Sequence, residues 1–438
     1  MKIVERARTL IQSNDIHKII TTVFAQGMLS ITNFSVGILL AKFATKEEYG
    51  IFVLFFSFVG FLDGFHNAFF TSPLMVLAGQ KEESERTPYV VSISIARNYF
   101  YVPVLIIFAA SLIVYNLFIL HDSRYILLCV FISLVIMMFT AKEYQRTVHF
   151  TLLNTNVIFL MDLAMMVTVF SGISIPIFLN KMNALTGLLV LCAGYTASYA
   201  YAKMKNPYRD RSKLIIKDAV KENIKYGKWL ILGIFSSIFQ NRAYIYITTL
   251  FLGLSALADV SASRLFMMPM MLLSGSVIKI MVAKGSIMVS KDEHKKFKKF
   301  ILYFMVTLST ACILYIAIIL MLSDTLIGFL GDKYMNTKGL IAMWGVYVLI
   351  MTLKSMLTTG IIVYRRFKAQ AIFDLIGAVT VILSCIILVT TIGSAGAILS
   401  LIAGEFIIFL FYIYLFLKIQ TENNTPAAEM DVHGLETL

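Results

Sequence analysis

Long apolar runs constrain the fold of this chain more than any other feature. A helix needs roughly 20 apolar residues to cross a bilayer core about 30 Å thick. Backbone groups in lipid must be hydrogen-bonded within the segment, which favours helices, and no alternating strand pattern is present. We therefore predict an all-α membrane protein of about twelve transmembrane helices. The predicted spans are residues 19–41, 50–78, 90–118, 126–148, 157–179, 185–202, 229–252, 260–283, 300–322, 339–363, 371–391 and 395–417.

Composition excludes a set of ordinary soluble domains. Of the 438 residues, 59% are hydrophobic and only 14% are charged, against about 25% charged residues in soluble proteins. The net charge is +13, but no basic soluble domain exists to carry a nucleic-acid interface. We assign this charge to membrane topology and to contact with anionic lipids, and expect no nucleic-acid partner.

The distribution of basic residues predicts the orientation. With the N-terminus in the cytoplasm, the cytoplasmic segments hold 27 Lys and Arg residues and the outside loops hold six. Because positive charge accumulates on the cytoplasmic side, both termini are predicted to lie there. The segments counted as cytoplasmic are the N-terminus, residues 79–89, 142–156, 203–228, 284–299 and 364–370, and the tail.

The chain is predicted to consist of two halves with parallel topology, an arrangement typical of transporters. Both halves place a long span before a tight outside turn, at Ala44–Tyr49 and Gly253–Ala258. The predicted segments are 1–18 as a cytoplasmic amphipathic N-terminus, 19–202 as a first six-helix lobe, 203–228 as a basic cytoplasmic inter-lobe loop, 229–417 as a second six-helix lobe, and 418–438 as a disordered cytoplasmic tail.

Charged residues inside the spans are the candidate functional residues, because each costs several kcal/mol at bilayer depth unless it meets a cavity or a partner. The cations are Arg97, Arg242, Arg264, Lys279 and Lys354. The acids are Asp63, Asp162, Asp374 and Glu405. Since Arg264 and Lys279 fall in one predicted helix, 260–283, they are expected on roughly the same face. A row of cations suits an anion that crosses the membrane, such as a diphosphate.

Each of these charges also has a structural explanation. Arg242, Arg264 and Lys354 could pair with Asp374 or Glu405, and Arg97 and Lys279 lie near cytoplasmic ends, where long side chains snorkel. Asp63 and His66, three residues apart, could take up protons or sodium ions, or could lock the packing between helices. Asp162 and Glu405 could balance the cations or take part in coupling.

Two stretches resemble the polysaccharide-type (Wzx-like) flippases of bacteria, which are related to MATE exporters and lipid II flippases. They are LLAKFATKEEYGIFVL, residues 39–54, and YGKWLILGIFSSIFQNRAYIYITTLFLG, residues 226–253. The resemblance implies two six-helix lobes around a central cavity, in the cell inner membrane. It also implies transfer of an undecaprenyl-diphosphate-linked oligosaccharide, a precursor of O-antigen, capsule or exopolysaccharide, with a polysaccharide polymerase as a possible partner. Lipid II flippases use arginines in the first span, where this chain has Gln26 and Asn33.

Other classes of protein fit the sequence less well. A MATE-like exporter of small molecules would favour a more acidic or apolar cavity. A polymerase or ligase would need a large outside loop, and the longest, 323–338, has no acid–base pair. A non-transporting membrane subunit of a polysaccharide synthase would not need the in-span cations. Because no GxxxxGK[ST] phosphate loop is present, we expect no ATP site. The four isolated cysteines show no zinc or redox spacing, so we expect no metal and no cofactor. Since the outside loop has no acid–base pair, we also expect no enzymatic activity.

Overall fold

The computed structural model describes residues 13–115, 123–208, 214–364 and 366–422. All regular structure among them is helical, which confirms the predicted fold class. The first seven helices are α1 Ser13–Phe43, α2 Lys46–His66, α3 Ser72–Gln80, α4 Glu83–Tyr115, α5 Ser123–Thr151, α6 Thr155–Phe178 and α7 Ala184–Met204. The others are α8 Ile216–Leu265, α9 Met268–Val289, α10 His294–Met321, α11 Ser323–Leu330, α12 Lys338–Val363, α13 Phe367–Ile392 and α14 Ser394–Glu422. A π-helical segment, Asn67–Thr71, joins α2 to α3, and a 3-10 segment, Asp332–Thr337, precedes α12.

Among the described residues, twelve helical segments are long and apolar enough to cross a membrane, which confirms the predicted number of spans. Most of the predicted amphipathic N-terminus and of the predicted disordered tail lies outside the described residues. Both remain predictions.

The chain divides into two compact units. The first comprises Met1–Ile238 and Gly253–Ser261, and the second comprises Phe239–Leu252 and Ala262–Leu438. In the first unit, α7 packs against α5 and α6, and α1 packs against α6. In the second unit, α14 packs against α12 and α13, and α12 also contacts α9 and α10. A hydrophobic core that includes Phe297, Met356 and Tyr412 holds these second-unit helices together.

The short turn between α1 and α2 is fixed by polar side chains. Thr45 caps α2, because its Oγ1 accepts a hydrogen bond from the Glu48 backbone N–H at 3.2 Å. The Glu48 carboxylate in turn accepts from the backbone N–H of Ala184, the first residue of α7, at 2.8 Å. The polar residues of this turn therefore cap the start of α2 and join α2 to α7.

The predicted pairing of Arg264 and Lys279 on one helix is wrong. Helix α8 ends at Leu265, and α9 begins at Met268 after a two-residue turn. Pro269 lies in the first turn of α9, where its missing N–H removes no helical hydrogen bond, whereas inside a continuous helix it would break one. Arg264 and Lys279 therefore do not form a ladder on one helical wall.

Helix α8 is also interrupted at Gly253, which has φ 81° and ψ −179°. This backbone conformation is accessible essentially only to glycine. The break is confined to this one residue of the predicted turn Gly253–Ala258. Residues 254–261, which follow the break, belong to the first unit, where Asp259 Oδ2 lies 2.7 Å from Lys46 Nζ.

The π-helical segment before Pro73 provides a docking point for the start of α8. Pro73 has no N–H to donate to the Phe69 carbonyl four residues earlier, and Asn223 Nδ2 donates to that oxygen instead, at 2.9 Å. Tyr89 OH donates to the Oδ1 atom of the same Asn223 side chain. Gly227 lies so close to the π-helical segment that a Cβ there would come within 2.5 Å of the Ala68 carbonyl oxygen.

Candidate functional site

The first unit buries a group of charges on α5. Lys142 and Arg146 are buried within the candidate span Ile126–Thr151. Lys142 Nζ lies 2.6 Å from Glu143 Oε1, and Arg146 Nη2 lies 3.1 Å from Asp162 Oδ2 and 3.2 Å from Gln26 Oε1. Asp162, predicted as a functional acid, is therefore the ion-pair partner of Arg146.

The burial of Lys142 and Arg146 differs from the location that the sequence predicts for them. Lys142 and Arg146 were counted as charges of the cytoplasmic segment 142–156, but α5 continues to Thr151 and buries both side chains. The signal was present in the sequence, since Lys142, Glu143 and Arg146 fall inside the second half of a predicted span. They are absent from the candidate residues predicted above, although buried charges inside a span point to function.

Arg97 lies in a polar network of the same unit. Its side chain is buried, with Nε donating to His66 Nε2 at 3.0 Å and Nη2 donating to Thr140 Oγ1 at 3.2 Å. It does not extend to a membrane surface, as the snorkelling interpretation required. Because His66 Nε2 accepts this hydrogen bond, the ring proton of neutral His66 is on Nδ1, which lies 4.0 Å from Asp63 Oδ1.

A polar cavity of about 210 Å³ connects the predicted acid Asp63 with the charges of α5. Its wall includes Asp63, Asn67, Glu143 and Arg146. Asp63 and Glu143 therefore line the same polar cavity of the first unit, a setting that suits uptake of a proton or small cation.

The second unit contains a buried ion pair. Lys354 Nζ lies 2.5 Å from Glu405 Oε2, and Gln240 Nε2 donates to Glu405 Oε1 at 2.7 Å. Asp374 accepts a hydrogen bond from Tyr412 OH at 2.7 Å. Glu405 thus pairs with the predicted cation Lys354, which agrees with the structural explanation given for these charges. Asp374 is instead hydrogen-bonded to Tyr412.

Arg264 lies in an aromatic cluster of the second unit. Its guanidinium carbon is 5.4 Å from the centroid of the Trp344 ring, and Nη1 donates to Tyr244 OH at 3.2 Å. Tyr347 packs edge-on against Trp344 with ring centroids 5.2 Å apart, and its OH donates to Asn241 Oδ1 at 3.3 Å. Contact with an aromatic face orients a guanidinium.

Arg264 was predicted from the sequence, but its contacts with Trp344 and Tyr244 were not. Trp344 is one of only two tryptophans in the chain, which was a usable signal. Spacing alone could not bring Tyr244, Arg264 and Trp344 together, because they come from two helices some 80 to 100 residues apart in the sequence. Arg242 lies half-buried on α8, and Lys279 lies on α9 with its side chain outside the described part of the structure.

The chain matches one family model, described as "Polysaccharide biosynthesis protein", over residues 39–339, well over half of its length. Among curated protein sequences, none matches it significantly.

Solved structures of two kinds of transporter share its fold. An inward-facing multidrug resistance MATE family transporter of the MOP superfamily superimposes with a TM-score of 0.74 at 12% identity, covering 93% of this chain and 99% of the other. The lipid II flippase MurJ, in an inward closed conformation, gives a TM-score of 0.73 at 16% identity, covering 92% and 90%. These similarities confirm the resemblance noted in the sequence and the fold class that it implied.

Proposed function

Because the chain belongs to the family of polysaccharide biosynthesis proteins, we propose that it is a flippase for undecaprenyl-diphosphate-linked oligosaccharides. It would carry a precursor of O-antigen, capsule or exopolysaccharide across the cell inner membrane by alternating access, with both termini in the cytoplasm. The multi-pass fold, shared with MATE transporters and a lipid II flippase, supports transport. The substrate would leave unchanged, so no enzymatic step is needed, and a polysaccharide polymerase would consume the product.

The observation that carries the proposal is the Arg264 cluster. A guanidinium offers a planar fork of donors that matches phosphate oxygens, and a diphosphate is doubly charged and rich in such oxygens. Arg264 is half-buried and held by Trp344 and Tyr244, so it is already oriented before the substrate arrives. We assign it the main role in binding the diphosphate in the second unit, with Arg242 and Lys279 as further contributors. Arg97 is the corresponding candidate in the first unit.

Lys354 would take part differently, because it begins as the ion-pair partner of Glu405. A diphosphate that binds Lys354 would displace this carboxylate, so that substrate binding and the pairing of Glu405 would be linked. Glu405 is therefore our first candidate for coupling to an ion gradient, with Asp374 nearby in the same unit. In the first unit, Asp63 at the polar cavity is the candidate, with His66 and Asp162 in supporting roles.

Deletion in the native host tests the proposal. We expect the deletion strain to lose surface polysaccharide and to accumulate undecaprenyl-linked oligosaccharide in the cytoplasmic leaflet, and wild-type protein to restore export. Normal translocation in a strain that lacks redundant flippases would refute the proposed function. Units that cross but remain unpolymerised would support a role in synthesis instead of transport.

A further inference from the structure

The first unit contains a second, larger cavity that the transport proposal does not use. It has a volume of about 700 Å³ and lies where α4, α5 and the end of α7 meet. We call it the tyrosine cavity, because its wall includes Tyr144, Tyr199 and Tyr208. A volume of this size falls within the range of ligand-binding pockets in proteins, about 300–1,000 Å³.

The wall of the tyrosine cavity combines ring faces with hydrogen-bonding groups. Gln145 and Asn206 are joined by a hydrogen bond of 2.8 Å between Asn206 Nδ2 and Gln145 Oε1. This bond fixes both amides and leaves the Gln145 NH₂ group available as a donor. Ser94 adds a hydroxyl, and the remaining wall is largely apolar. Aromatic faces beside fixed amide and hydroxyl groups suit a pyranose ring, which has apolar C–H faces and a polar edge.

The charge near the tyrosine cavity is positive. Lys203 lines it, with Nζ 5.3 Å from the centroid of the Tyr199 ring, and none of its twelve lining residues within the described structure is acidic. Arg97 lies 5.6 Å from the centroid of the Tyr144 ring. The hydrogen-bond partners of Arg97 among the described residues are all neutral, so its charge is not cancelled locally. The cavity therefore favours a ligand that carries an anionic group.

We propose that the tyrosine cavity is a loading site for the head group of the lipid-linked oligosaccharide. The phosphate would contact Lys203, and the sugars next to it would stack on Tyr199 and bond to Gln145. This inference rests on the proposed function and adds a site in the first unit to it. The residues that line the cavity lie near the predicted cytoplasmic ends of α4, α5 and α7. The substrate is made on that side of the membrane.

Binding to the purified, full-length protein in detergent micelles tests the site. The probes are the lipid-linked oligosaccharide extracted from the native host, bare undecaprenyl diphosphate, and phosphatidylglycerol. We expect the oligosaccharide lipid to bind most tightly, and Tyr199→Leu or Lys203→Gln to weaken it about tenfold, the effect of one lost anchoring contact. Tyr199→Phe should retain the affinity because the ring remains. Equal affinity for bare diphosphate or phosphatidylglycerol would overturn the proposal, since the tyrosines would then recognise no sugar.

Matched substitutions on the same unit serve as controls. Tyr99 is 78% exposed on α4 and lies outside the cavity wall, so Tyr99→Leu should leave binding unchanged, as should Lys205→Gln. If the control variants lose affinity as strongly as Tyr199→Leu and Lys203→Gln, the loss does not come from the cavity and the proposal fails.

Transport kinetics separate this inference from the proposed function. In proteoliposomes we expect Tyr199→Leu to raise KM about tenfold while kcat stays near the wild-type value, because a loading site affects capture and not crossing. If the wild-type protein transports lipid and Tyr199→Leu has the same KM, the loading site is refuted. The flippase proposal is then unaffected. If binding depends on Tyr199 but the wild-type protein transports no lipid, the loading site is supported and the flippase proposal is refuted.

Discussion

At the scale of single residues, the cations inside the spans differ in the groups that hold them. Lys354 is neutralised by Glu405, and Arg146 by Asp162. Arg264 instead contacts an aromatic face and a phenol, which orient its guanidinium. This orientation is our reason for proposing Arg264 as the main contact for an anionic substrate.

Replacement of Arg264 should reduce transport more than it reduces stability. We expect Arg264→Ala to slow translocation by about tenfold to a hundredfold, since hydrogen bonds to charged groups are worth about 1.5–3 kcal/mol. Arg264→Lys should also be impaired, because an ammonium lacks the planar fork and the stacking. The readout is leaflet exchange in proteoliposomes, with Arg366→Ala, exposed between two spans, as the control. Wild-type rates in Arg264→Ala would remove this residue from the site.

The Lys354–Glu405 pair gives a stability prediction. Glu405→Leu alone should cost about 3–5 kcal/mol of unfolding free energy, because it leaves a poorly solvated ammonium without its partner. The double variant Lys354→Met/Glu405→Leu should recover much of that loss. Thermal unfolding in detergent measures both, and the exposed pair Lys338–Asp324 provides a control in which Lys338→Met has little effect. A double variant as unstable as the single one would show that the pairing is not what stabilises this site.

At the scale of helices, interruptions are the least predictable feature. The number of spans follows from the length of the apolar runs. The π-helical segment Asn67–Thr71 instead involves a tertiary contact, since the Phe69 carbonyl accepts its hydrogen bond from Asn223, 154 residues away. Similarly, the break between α8 and α9 falls inside one continuous apolar run, 260–283, where hydropathy gives no boundary and only Pro269 signals it. Side-chain clusters such as Tyr244–Arg264–Trp344 are unpredictable for the same reason, since they depend on tertiary contacts.

The docking of α8 through Asn223 can be tested by a double-mutant cycle. Asn223→Leu leaves the Phe69 carbonyl and Tyr89 hydroxyl without this partner, at about 1–3 kcal/mol for each buried group. In a Pro73→Ala background the new backbone N–H can donate to Phe69, so the same substitution should cost less. Thermal unfolding of the four proteins gives the coupling energy, and a coupling energy of zero would contradict this explanation of the π-helical segment.

Gly253 should be intolerant of any side chain, for a backbone reason only. A Cβ at this position meets nothing within 4 Å, so the cost of Gly253→Ala comes from φ 81° and is about 1–3 kcal/mol. Gly233, in the same helix with equally open surroundings, is the matched control. There alanine should be neutral or stabilising, because it favours helix. Equal unfolding temperatures for the two alanine variants would contradict the conformation described for Gly253.

At the scale of the whole molecule, each compact unit contains its own group of polar and charged side chains. The first combines the Arg97–His66 network, the α5 charges and the tyrosine cavity. The second combines the Arg264 cluster with the Lys354–Glu405 pair. Hydropathy predicted the membrane fold, and the charges inside the spans remain the proposed functional residues. The partners of those charges could be identified only from the structure.

The most direct test of the flippase proposal is a leaflet-exchange assay with purified protein in proteoliposomes. The probe is undecaprenyl-diphosphate-linked oligosaccharide from the native host, and the readout is the fraction accessible to a membrane-impermeant sugar-modifying enzyme over time. The account predicts exchange that far exceeds protein-free vesicles and falls about tenfold or more with Arg264→Ala. Exchange by the wild-type protein no faster than in protein-free vesicles would contradict it.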